Sequence, residues 1–282
     1  MVIATGSYLV NDTFMKLATV GLPPYEVLFL RGVMASLWGL PLLFLQGYGK
    51  QAPLIFSPRV LFRNMFELAA ILVYIVALAN MPIADATALG QLTPLLMILG
   101  ASILFREKIG GLRMALIGLG FFGAVMVAQP TMSGVSPYVL MALGNAIFCA
   151  ARDIAGRRIG AEVPGMIVAM SAVVVVLIGS GTMHLLTETW VMPQLNHLLL
   201  LAGSGLFLVF GHFFIFMSYR VGQTAMVAPF YYFFTFWAVI SGLVVFGQFP
   251  NALAISGIVL VVVSGVAVVL LGERARRLAP VA

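Results

Sequence analysis

The sequence is poor in charge: Asp, Glu, Lys and Arg make up 9% of its 282 residues, where a soluble domain carries roughly a quarter. A surface this short of charge does not face water. Cysteine is nearly absent as well. Cys149 is the single one and lies in an apolar run, which excludes an intramolecular disulfide and a cysteine-based metal site; the thiol reads as inert packing. The three histidines, His184, His197 and His212, are scattered, and no Gly-rich loop ending in Lys-Ser/Thr is present to hold a nucleotide phosphate. The N-terminus lacks the basic segment of a secretory leader, and Asn11, Asp12 and Lys16 interrupt its apolar stretch, so residues 2–20 read as a first membrane span. Cations outnumber acids 15 to 9, but they are spread along the chain instead of gathered on one solvated face, which excludes a nucleic-acid surface.

Hydrophobic residues fill what charge leaves, at 62% of the chain with a mean hydropathy of +1.11. A helix needs about 20 apolar residues to cross the hydrocarbon, and ten such helices leave roughly eight residues for each connection. No soluble domain of even about 50 residues fits beside them. The hydropathy places spans near 2–20, 24–46, 60–80, 84–104, 109–128, 137–156, 163–185, 195–218, 223–246 and 251–271. Cations mark every second connection: Lys50 and Arg59, then Arg106, Lys108 and Arg113, then Arg157 and Arg158, then Arg220, then Arg274, Arg276 and Arg277. The intervening connections carry none. Retention of Lys and Arg on the cytoplasmic side puts both termini inside.

A duplication runs through the chain at a spacing of roughly 140 residues. Met81-Pro-Ile-Ala-Asp-Ala-Thr-Ala-Leu89, Pro94, Phe105-Arg-Glu107 and Gly118 are echoed by Val221-Gly-Gln-Thr-Ala-Met-Val-Ala-Pro229, Phe246-Gly-Gln248 and Gly257. The copies are residues 1–132 and 133–282. Five spans per copy is odd, so the second enters the membrane inverted, and the pair encloses a site at mid-depth that each side reaches in turn.

At these motifs the chain resembles the EamA-type members of the drug/metabolite transporter superfamily, ten-helix proteins. The matching residues are Lys16, the segment Pro24 to Arg31, Met81 to Pro94 and Arg106-Glu107, then Ala228-Pro229-Phe230, Tyr232, Trp237-Ala238, Phe246 to Pro250 and Ser264-Gly265. The resemblance implies a proton- or gradient-coupled secondary carrier of small organic metabolites in the bacterial cytoplasmic membrane. Spans 1–4 and 6–9 would surround the cavity, with spans 5 and 10 peripheral. Two departures remove titratable groups: Gln248 stands where the pattern usually has Glu, and Tyr231 where it often has an acid.

Charges inside hydrocarbon are costly unless paired or hydrated, so they are the first candidates. Asp12 and Lys16, four apart, form a local ion pair or serve the cavity. Arg31, about 10 Å into span 2 at 1.5 Å per residue, needs Asp12, Glu26 or an anionic solute as partner. Glu67 follows Arg63 by four residues and is either an interfacial ion pair or a proton-coupling carboxylate. His212 is a second coupling candidate or an interhelical hydrogen-bond donor. Asp153 is expected to anchor Arg157. For solute binding the candidates are Asn11, Arg31, Tyr74, Gln91, Asn145, Tyr231, Tyr232 and Trp237, amides and aromatics on the cavity spans. Pro94 and Pro229 are candidate hinges, since each removes a backbone donor inside a span. Gly118, Gly120, Gly123, Gly257 and Gly265 allow spans 5 and 10 to approach closely.

A lipid-modifying membrane enzyme would need paired carboxylates or a His cluster, which the sequence lacks, and a scaffold leaves the duplication unexplained. The expectation is a secondary transporter without cofactor whose partners are a small organic solute, a proton or other coupling ion, and the bilayer. Export of an amino acid or related solute is the first reading; uptake of a larger cofactor-like molecule such as riboflavin or S-adenosylmethionine is the second.

Overall fold

Proline starts many of the helices. It has no N–H to leave unsatisfied in a first turn, and α2, α3 and α7 begin on Pro24, Pro58 and Pro137, while Pro82 and Pro164 cap α4 and α8. The computed structural model describes residues 1–105, 109–130, 134–160, 162–221 and 227–278; Arg106, Glu107 and Lys108 and residues 222–226 of the motifs above lie outside the described residues. The helices are α1 (Val2–Ala18), α2 (Pro24–Leu45), α3 (Pro58–Asn80), α4 (Ile83–Gly90), α5 (Thr93–Phe105), α6 (Gly111–Ala128), α7 (Pro137–Gly156), α8 (Gly165–Thr187), α9 (Leu195–Val221), α10 (Phe233–Phe246) and α11 (Ala252–Leu278), with 3-10 turns at Tyr48–Phe56 and Ala228–Tyr232.

Among the described residues nine stretches are long and apolar enough to cross a bilayer, with Ile83–Leu104 counted as one. Helix α1, with 17 residues, is at the short end of the spanning range and packs along α9 as the tenth crossing. The fourth crossing departs from the sequence expectation: it is not one helix but α4 and α5, separated at Gln91 and Leu92 just before Pro94. The described part of the ninth likewise starts as a 3-10 turn containing Pro229 before it becomes α10.

The packing carries the duplication. Numbering the crossings one to ten, the first lies on the eighth and the sixth on the third; the second touches the eighth as the seventh touches the third; the fourth meets the sixth as the ninth meets the first. The pairs two with seven, four with nine and five with ten map onto themselves. Exchanging each crossing with the one five places on leaves these contacts unchanged, as two inverted copies require.

The fifth and tenth crossings meet backbone to backbone. A Cβ on Gly123 would stand 2.7 Å from the Gly257 carbonyl oxygen, and one on Gly257 2.5 Å from that of Gly123, so neither position has room for a side chain. Gly118 departs from the expectation: it faces open space.

Two ties close the outer end. Glu188, at the C-terminus of α8, accepts the backbone N–H groups of Tyr25 and Glu26 at 3.1 Å each, placing a carboxylate on the N-terminus of α2. Glu26 in turn accepts the Val191 N–H at 3.0 Å. Lys16 does not pair with Asp12. Its Nζ donates to the carbonyls of Leu78 at 2.5 Å and Met81 at 2.8 Å, where α3 ends, and stands 5.5 Å from the Phe246 ring centroid. Because these are charged bonds at a site where Lys16 is 8% exposed, Lys16→Met is expected to cost about 2 kcal/mol. Thermal denaturation in detergent should show a lower midpoint for Lys16→Met than for Lys16→Arg.

Candidate functional site

The polar residues of several spans lie on single faces. On α1 the spacing i, i+3, i+4 aligns Tyr8, Asn11 and Asp12; on α3 a four-residue step aligns Arg63, Glu67 and Ile71, with Tyr74 one turn beyond; on α7 Asn145, Cys149, Arg152 and Asp153 share a stripe. These faces converge on a cavity of about 630 Å³ bounded by crossings one to four and six to nine, with Val269 of the tenth at its edge. Its charged lining consists of Asp12, Glu67 and Asp153 against Arg31, Arg63 and Arg152, with His212 beside them.

At its centre the side chains form a buried relay. Ser204 donates to the Asn11 Oδ1 at 2.8 Å, the Asn11 amide donates to Asp12 Oδ1 at 2.8 Å, and the Tyr74 hydroxyl donates to Asp12 Oδ2 at 2.8 Å. Crossings eight, one and three are thereby tied through one carboxylate. Arg31 is 5% exposed; among the described residues its Nη1 reaches only Met15 Sδ, at 3.4 Å.

Towards the end that carries Arg157 and Arg158, a second network crosses between the repeats. Glu67 Oε2 lies 3.0 Å from Arg63 Nη1 and 3.2 Å from Arg152 Nη1, and Arg152 Nε is 2.8 Å from Asp153. Asp153 therefore pairs with Arg152 and not with the expected Arg157, because the neighbouring guanidinium already lies on the cavity face. Arg63 also donates to Asn64 at 2.6 Å, Asn64 to Ser171 at 2.8 Å and Ser171 to the Ile55 carbonyl at 2.6 Å, which fixes the network to the wall. Beyond it lies a vestibule of about 410 Å³ lined by Gly156, Ile159, Gly160 and Val163. Arg63, Arg152, Asp153 and His212 line both spaces, so they form the partition. His212 Nδ1 is 2.9 Å from the Leu208 carbonyl; a carbonyl only accepts, so Nδ1 carries a proton and Nε2 is the nitrogen free to exchange one. The Tyr8 ring meets the imidazole edge-on at 5.4 Å.

The structure thus gathers Asn11, Arg31, Glu67, Tyr74, Gln91, Pro94, Asn145, His212, Tyr231 and Tyr232 around one cavity. Trp237 and Pro229 are not among its lining residues: the indole N–H of Trp237 donates to the Val2 carbonyl at 3.3 Å, and Pro229 lies in the 3-10 turn. Gln91 makes a long 3.5 Å contact to the Tyr231 carbonyl, joining the interrupted crossings four and nine. Sequence reasoning missed Arg152 and Tyr8. It also treated Cys149 as packing, whereas Cys149 lines the cavity with its thiol 3.5 Å from Asn145 Oδ1.

The EamA-like transporter family matches residues 1–129. The pseudopaline exporter of Pseudomonas aeruginosa is 26% identical over 273 residues, covering 94% of this chain and 93% of its own. By these matches the chain is similar to EamA-like transporters. Other relatives are the S-adenosylmethionine uptake transporter of Rickettsia prowazekii, 25% identical with 90% and 85% of the two chains covered, and the riboflavin transporter of Rhizobium johnstonii, 29% identical with 77% and 70% covered. A protein of solved crystal structure shares the fold at a TM-score of 0.67 and 22% identity, over 98% of both chains. The chain is a multi-pass protein of the bacterial inner membrane that moves a small organic solute, and not an enzyme.

Proposed function

We propose that this transporter exports an amino acid or a related zwitterion by alternating access, with repeats 1–132 and 133–282 rocking about the cavity. The observation that carries the reading is a chamber of about 630 Å³ walled by crossings of both repeats, holding three acids and three arginines beside Tyr74, Tyr231 and Tyr232. Such a lining, neutral in sum but locally charged, favours a solute carrying both signs on a small organic body. The vestibule outside the Arg63–Glu67–Arg152 partition gives a cytoplasmic solute a route to the gate. The relatives named above include an exporter, an uptake transporter and a riboflavin transporter, which supports small-molecule transport and leaves uptake of a cofactor-like molecule as the second reading.

In this proposal Glu67 is the coupling carboxylate. Opening the partition separates it from Arg152 on the other repeat, and a proton replaces the lost cation; His212, bordering both spaces, relays it. Pro94 and Pro229, at the helix interruptions of the fourth and ninth crossings, supply the bending points.

The test is ligand-induced stabilisation of the purified protein, since a ligand that binds only the folded state raises its melting point. Stabilisation by amino acids, with efflux of the same compounds from cells, is expected. Stabilisation by flavins or sulfonium compounds alone, with uptake, would favour the second reading. No response from any of them would refute the first.

A further inference from the structure

We propose that Arg31 is the anion receptor of the cavity, taking the carboxylate of a solute whose ammonium group faces Asp12; this rests on the zwitterion reading above. The two acids on the inner side are committed, Glu67 to Arg63 and Arg152, and Asp153 to Arg152. Arg31 is different. Its Nε is buried without an acceptor, its Nη1 reaches only a thioether, a weak acceptor, and no ion pair within 4.0 Å involves it among the described residues. A guanidinium on the edge of hydrocarbon is costly to leave uncompensated. A purely structural arginine would be expected to have a carboxylate against it, as Arg63 and Arg152 do.

Asp12 supplies the other half. Asn11 and Tyr74 hold its two oxygens in place with one bond each, and a carboxylate accepts about four, so capacity remains for an ammonium donor. Asp12 and Arg31 line the same cavity yet form no ion pair within 4.0 Å. They face one space and attract each other across it without touching, so each still has room for a direct partner. A head group with an ammonium and a carboxylate on neighbouring carbons meets both, and the planar fork of Arg31 suits a carboxylate better than a single point charge would. A solute lacking the carboxylate would leave the guanidinium as it is.

The experiment titrates purified full-length protein, by thermal shift, with two matched pairs: L-phenylalanine against L-phenylalaninamide, and S-adenosylmethionine against its decarboxylated analogue. Wild-type protein is expected to bind at least one acid about tenfold or more tightly than its partner, the difference one charge-assisted contact makes. In Arg31→Gln that preference should disappear while the affinity for the partner lacking the carboxylate stays; Arg31→Lys should restore part of it. Equal binding within both pairs by wild-type protein overturns the inference, and needs no variant to fold. So does a preference that survives in Arg31→Gln, or that Arg31→Lys does not restore. If no member of either pair shifts the melting point, the zwitterion reading falls and takes this inference with it, whereas binding without carboxylate preference removes the inference alone.

Discussion

Glu67→Gln is expected to lower solute transport in proteoliposomes by up to about two orders of magnitude. The carboxylate is the one acid through which Arg63 of the first repeat and Arg152 of the second are joined, at 3.0 and 3.2 Å. The side chains are 17–24% exposed, and removing one partner of such a partly buried, two-sided network is expected to cost about 3 kcal/mol at most, because the remaining charges lose their compensation. If the partition exists only when this network is formed, about 3 kcal/mol shifts its population by roughly a hundredfold and leaves the carrier unable to close inward. Arg152→Gln should have the same effect for the same reason. The double variant should be no worse than either single one, since each already breaks the shared contact. Additive losses in the double variant would show that the two residues act separately.

Gly257→Leu should be among the most damaging apolar substitutions at the described residues. Even the first atom of a side chain there would stand 2.5 Å from the backbone carbonyl of Gly123, and a backbone atom cannot rotate aside as a flexible side chain can. The fifth and tenth crossings would have to separate, at a cost of about 1–3 kcal/mol or more for overpacking. The expected result is a sharp drop in folded yield and melting temperature in detergent. Gly118→Leu, one crossing face away and opening on free space, is the matched control and should behave like the parent.

What the sequence made legible follows from what lipid permits. Backbone groups in hydrocarbon must be satisfied within the helix, so length, hydropathy and the alternation of Lys and Arg locate the crossings with little interference from tertiary context. The inverted duplication was readable from Met81–Pro94 against Val221–Pro229, and the symmetric pairing of crossings agrees with it. The break between α4 and α5 was not readable to the residue, because Gln91 and Leu92 fit a helix and only the neighbouring crossings decide where it stops. The cavity was legible where a polar residue stands alone in an apolar run, as with Arg31 and Tyr74. Arg152 was missed because it sits near the cytoplasmic end beside Asp153, Arg157 and Arg158, where an arginine reads as an orientation signal. The available clue was its spacing of seven from Asn145 and three from Cys149, which places it on their face. Lys16 shows the opposite error: spacing allowed a pair with Asp12, but the exposed carbonyls at the end of α3 compete for the ammonium and win.

Cys149 offers the most direct test of the alternating chamber, because the sequence has no other cysteine and this one lines the cavity. The measurement is its modification by a small charged thiosulfonate that cannot cross lipid, applied separately to each face of oriented vesicles. Labelling from both faces, slowed by a transported solute, is the predicted result. A thiol that reacts from one face only, whatever the solute, would contradict a chamber that opens to both sides.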